Sequence, residues 1–125
     1  MKEDLITFET AKLAKEKGFK VPTKQYYEEN GDLCQYRNSL KDWNNLDPKK
    51  YSDMKSAPTQ SLLQKWLMEK HKAEININYC GYTMTYCYVI VKDRVLYDFC
   101  ILTEFNTYEE ALEKGLVEAL RLIKK

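Results

Sequence analysis

Four cysteines, one histidine and an aspartate set among strand-forming residues are the side chains of this 125-residue chain best suited to covalent or acid–base chemistry. Cys34, Cys80, Cys87 and Cys100 form no CxxC pair, so a structural zinc site would need an irregular combination of them with His71. A nucleophilic cysteine needs a neighbouring base. His71 closes a predicted helix, and no spacing in the chain brings it to a thiol. Cys87 and Cys100 face each other if a hairpin turn centres on Asp93-Arg94, the register that pairs Val91 with Leu96 and Val89 with Asp98. A three-residue turn shifts the pairing by one and separates them. Free cysteine is among the most buried residue types, so these thiols read as core filler. Asp98 reads as a structural partner for Arg94 or a tyrosine hydroxyl, because no second carboxylate stands at a defined spacing from it. With four glycines the chain can build neither a phosphate-cradling loop nor a nucleophile elbow. The expectation is a protein that is not an enzyme, with no catalytic residue, no metal and no cofactor.

Aromatic residues carry the remaining signal. Ten tyrosines occur, and Tyr79, Tyr82, Tyr86, Tyr88 and Tyr97 gather in or beside one predicted meander. A tyrosine-bearing sheet can stack bases or meet a protein partner, although tyrosine also suits any half-buried strand. Trp43 lies in a poorly patterned segment, where it either plugs the core or, if exposed, anchors a partner. Trp43, Tyr82, Tyr86 and Tyr88 are therefore the candidate binding residues. Twenty basic against nineteen acidic residues leave a net charge of +1, which removes the excess positive charge behind non-specific attraction to nucleic acid or anionic membrane. No stretch approaches the roughly 20 apolar residues that span a bilayer, and the charged N-terminus is no secretory signal, so a cytoplasmic setting is expected.

The elements that must position these residues follow from pattern. Thr7 caps a helix predicted to run to Lys17, which Gly18 stops, with Phe19 folding back. Thr23–Glu28 and Leu33–Arg37 flank Asn30-Gly31, a hairpin signal because both residues tolerate positive φ. Asn38–Ser56 has no regular pattern. Pro58 suits the first position of a second helix, whose face is Leu62, Leu63, Trp66 and Leu67 and which ends near His71. Glu74–Tyr79 alternates as a strand and leads into the hairpin Tyr82–Leu102. Thr107 and Glu110 form a capping box for the last helix, with Leu112, Leu116, Ala119, Leu120 and Ile123 as its buried stripe. Ala111, Gly115 and Ala119 make a row without bulk, which predicts close approach to the sheet or to another helix. The predicted fold is α+β in the order α-β-β-α-β-β-β-α, an antiparallel meander with helices mainly on one face. Residues 1–125 are expected to form one domain, with 57–125 as an α-β-β-β-α unit.

That unit shares its topology with double-stranded-RNA-binding domains, which present lysines at the start of their last helix. Here the position reads Thr107-Tyr108-Glu109-Glu110, which repels phosphate. The blocks AKLAKEKGF, SAPTQSLLQKWLMEKH and TYEEALEKGLVEALRLIK, in that order, resemble an uncharacterised family of small phage and mobile-element proteins of gut anaerobic bacteria. The resemblance implies a phage-derived, cytoplasmic setting and no particular chemistry. The function expected is a small binding or accessory protein acting through a protein partner or a homodimer. The alternative is a nucleic-acid-binding module using the lysines of Lys12–Lys24 and Lys49–Lys55.

Overall fold

The computed structural model describes residues 4–35, 40–46, 53–99 and 105–123, with the backbone alone at 96–99. The fold is α+β, with two three-stranded antiparallel sheets and helices packed against sheet. The chain divides between Thr59 and Gln60 into two compact units.

In the first unit, α1 spans Phe8–Glu16. Thr7 Oγ1 accepts from Thr10 N at 3.3 Å, supplying one of the bonds that the first turn lacks. Gly18 takes φ +92°, and the amides of Gly18 and Phe19 close on Lys15 O and Ala14 O, the expected stop. β1 (Gln25–Tyr27) pairs antiparallel with β2 (Leu33–Gln35). Their turn differs from the two-residue form expected at Asn30-Gly31. Gly31 alone has positive φ, its amide donates to Glu28 O, and Glu28 N donates to Asp32 O, so three residues form the loop. Asn30 is instead used through its side chain, whose Oδ1 accepts from Asp32 N at 3.0 Å.

Between Asn38 and Ser56, the described residues 40–46 and 53–56 carry regular structure that the sequence pattern does not announce. Trp43–Asn45 makes a 3-10 turn, and Lys55–Ser56 forms β3 on the other edge of β1. Asn44 fastens the two, its Oδ1 accepting from Ser56 N and its Nδ2 donating to Phe19 O. Ile6, Ala11, Ala14, Phe19, Trp43, Ala57 and Pro58 are buried apolar side chains here.

The second unit opens with α2 (Gln60–His71), two residues later than Pro58 suggests. Thr59 bridges to Leu5, and Pro58 O accepts from Ile6 N, so the chain is still extended at the proline. β4 (Ala73–Cys80), β5 (Thr85–Lys92) and β6 (Val95–Phe99) follow as a meander in the order β4-β5-β6. α3 (Tyr108–Leu122) is capped by Thr107 Oγ1, which accepts from Glu110 N at 3.1 Å. Leu63, Trp66 and Leu67 of α2, Leu112, Leu116 and Leu120 of α3, and Ile75, Tyr88 and Ile90 of the sheet are buried. Glu74, Asn76 and Asn78 are exposed on the opposite face of the sheet, beside half-buried Cys87, Val89 and Val91. A Cβ on Gly115 would stand 2.9 Å from Ile75 Cγ2 and 3.2 Å from Tyr88 Cβ, so the small-residue row of α3 lies directly on the sheet.

Candidate interaction surface

The four candidate residues have different fates. Trp43 is buried: its Nε1 donates to Thr23 O at 2.9 Å and its ring stacks on Tyr26 with centroids 4.1 Å apart. It plugs the first unit and offers no exposed anchor, while nearby Leu40 is exposed. Tyr88 is buried beneath α3, against the backbone of Gly115. Tyr86 is half-buried two residues earlier in β5, and Tyr82 stands 98% exposed in the Gly81–Met84 turn. The structure therefore brings Tyr82 and Tyr86 to one end of the second unit and leaves Trp43 and Tyr88 in cores.

Neighbours outside the four candidates complete this end. Tyr79 pairs across the strands with Tyr86, ring centroids 4.9 Å apart, and Tyr86 meets Tyr108 of the first turn of α3 edge-on at 6.2 Å. Tyr79, Met84 and Tyr108 are 54%, 71% and 42% exposed. Backbone pairing holds the geometry, with Tyr86 N donating to Phe105 O at 2.8 Å and Phe105 N returning to Tyr86 O at 3.0 Å. A row of rings thus runs from β4 to the start of α3, with Tyr82 and Met84 projecting beyond it. The segments that build it, 76–86 and 105–110, contain no lysine or arginine and two glutamates, Glu109 and Glu110. Met84 escapes pattern reading because it lies in a turn, and Tyr108 because it opens a helix whose buried stripe begins at Ala111.

Among the described residues the chemical candidates are not assembled into a reacting site. His71 is half-buried with its ring edge-on to Trp66 at 4.9 Å. Burial, then the charges of Lys92 and Lys70, push its pKa below the ordinary value. Burial first, and then the hydrogen bond and charge of Glu28, push the Cys34 thiol up, the opposite of an activated nucleophile. Among the described residues no three His, Cys, Asp or Glu side chains gather as metal ligands. Cys100 lies outside the described residues, as does the Asp98 side chain. The register between β5 and β6 is nonetheless clear. Val91 pairs with Leu96 as expected, but a bulge follows, and Ile90 rather than Val89 lies opposite Asp98.

Three lysines of the nucleic-acid alternative, Lys12, Lys15 and Lys55, are held in ion pairs. Asp53 receives Lys15 and also Lys55, the latter at 3.0 Å, and Lys12 lies 3.7 Å from Glu9. Lys55 is buried, its Nζ 5.6 Å from the Phe8 ring centroid. Lys49 and Lys50 lie outside the described residues. Among the described residues no helix is long and apolar enough to cross a membrane. No protein-family model, curated protein or solved structure matches the chain.

Proposed function

We propose that this protein is a non-enzymatic protein-binding module whose contact surface is the aromatic end of its second unit. The observation that carries this reading is the union of Tyr79, Tyr82, Met84, Tyr86 and Tyr108 at one end, in segments without a basic residue. Tyrosine and methionine are enriched where proteins meet, because they bury large area at low entropic expense. A single-strand binder also stacks aromatics, but it lines them with cations for the phosphates. Here the flanking charges are acidic, which favours a partner presenting an apolar segment bordered by lysine or arginine. The phage or mobile-element setting rests on the resemblance of the three sequence blocks alone.

The double variant Tyr82→Ser with Met84→Ser tests the surface, since both side chains project from a turn and neither enters a core. A partner captured from the source cell by the wild-type protein is expected to be lost with the variant, while both proteins keep the same melting temperature. A single-stranded oligonucleotide is expected to show no retention at about 50 mM salt, where phosphate contacts are strong. Oligonucleotide retention that the double variant abolishes would instead establish the nucleic-acid reading, and equal partner capture by both proteins would remove the aromatic surface.

A further inference from the structure

We propose that β4 is an association edge at which two copies of this chain pair antiparallel, strand to strand, about Ile77. Sheet order places β4 at the margin of β4-β5-β6, where β5 is its only strand partner among the described residues. The direction of its spare backbone groups is fixed by two hydrogen bonds. Lys72 O accepts from Asp93 N on the β5 side, whereas Ile75 O accepts from the side-chain Nε2 of Gln64 at 2.8 Å. Backbone groups alternate sides along a strand, so Ile75, Ile77 and Tyr79 present their N–H and C=O groups outward. Gln64 supplies at Ile75 the donor that a neighbouring strand would supply. Among the described residues, Ile77 and Tyr79 have no such substitute.

Natural edge strands are usually short, bulged, or guarded by charge or proline. β4 is eight residues long, pairs with β5 without a bulge, and carries Glu74 as its one charge in AEININYC. Its sequence fits itself. Antiparallel pairing about Ile77 sets Ile75 against Tyr79 of the second copy on the helix-bearing face, where the Tyr79 amide takes the place of the Gln64 side chain at Ile75 O. On the open face it sets Asn76 against Asn78 of the second copy, where each amide offers both donors and an acceptor. Glu74 falls opposite Cys80 of the second copy, so no like charges meet. The net charge of +1 leaves little long-range repulsion between copies. The product is a continuous six-stranded sheet. This edge shares Tyr79 with the aromatic surface, but the residues that test that surface, Tyr82 and Met84, lie in the turn beyond the strand.

Sedimentation velocity between about 1 μM and about 1 mM tests the proposal. The wild-type protein is expected to move from monomer to dimer over that range, with amide exchange at Ile77 and Tyr79 slowing as concentration rises. Asn76 and Asn78 are exposed, so charges introduced there leave the core intact. Asn76→Lys with Asn78→Lys places the new lysines opposite each other across the axis and should raise the dimer Kd by about tenfold or more. Asn76→Glu with Asn78→Lys makes the same contacts attractive and should restore dimerisation. A protein that stays monomeric throughout, a dimer indifferent to the lysine pair, or a mixed-charge variant that fails to recover would each overturn the pairing about Ile77.

Discussion

At Gly115 the backbone of α3 lies so near the sheet that a Cβ would stand 2.9 Å from Ile75 Cγ2, inside any normal contact. Two opposed effects decide what alanine would do there. Alanine favours the helix by about 0.8–1 kcal/mol over glycine. Against this, overpacking a close-packed core costs about 1–3 kcal/mol, and the atoms in the way belong to buried Ile75 and Tyr88. The steric term is the larger, so Gly115→Ala should lower stability by about 1 kcal/mol. Gly115→Leu should prevent the unit from packing at all. Chemical denaturation checks both, and an alanine variant with a raised midpoint would show that the sheet yields. The contact was legible in the spacing Ala111-Gly115-Ala119, because a glycine inside a helix needs a reason. Whether the row faced a sheet or a helix was not, since that depends on residues 25–40 positions away. Trp43 shows the same limit: its type marks it as an anchor, and only the distant Thr23 and Tyr26 decide that it is anchored inward.

The turn between β5 and β6 is an element whose geometry and residue types disagree. Asp93 and Arg94 both adopt left-handed conformations, with φ 54° and 68°, the two-residue hairpin form that favours Asn-Gly. Aspartate tolerates this region because its short side chain can hydrogen-bond the local backbone, a compensation that a long arginine side chain lacks. Arg94→Gly should therefore stabilise the hairpin by about 0.5–1 kcal/mol, the strain relieved exceeding the chain entropy that glycine adds to the unfolded state. A rise in melting temperature of a few degrees checks this, and a fall would mean that the Arg94 side chain makes contacts worth more than the strain. The turn's centre was legible from the polar break in an apolar run. The bulge at Ile90/Val91 was not, because it arises where β5 must serve two partners and no local residue type announces it. β3 was hidden for a related reason: two residues, Lys55-Ser56, pair with a strand about thirty positions earlier, beyond the reach of any periodicity.

Across the whole molecule, two titrations report on the two units in separate pH windows. His71, in the second unit, is held below its ordinary pKa by burial and then by Lys92 and Lys70. An unfolded chain takes up a proton near pH 6.5 that the folded one refuses. More protons bound when unfolded means that stability rises with pH, so this contribution is complete above about pH 7 and is lost as pH falls through the folded pKa. Asp53, in the first unit, is held below the usual carboxylate range by its hydrogen bonds to Lys15 and then Lys55. The sign is the same, but the window is lower: this share is present above about pH 4 and lost as the carboxylate is protonated. Asp53 is more than half exposed, which weakens its share by solvent screening. Melting temperature followed from pH 7.5 to 3 should therefore decline in two stages. His71→Gln should flatten the stage that begins below about pH 7 and leave the acid stage standing. Asp53→Asn should do the reverse. A His71→Gln profile that keeps the upper slope would place that titration elsewhere in the chain.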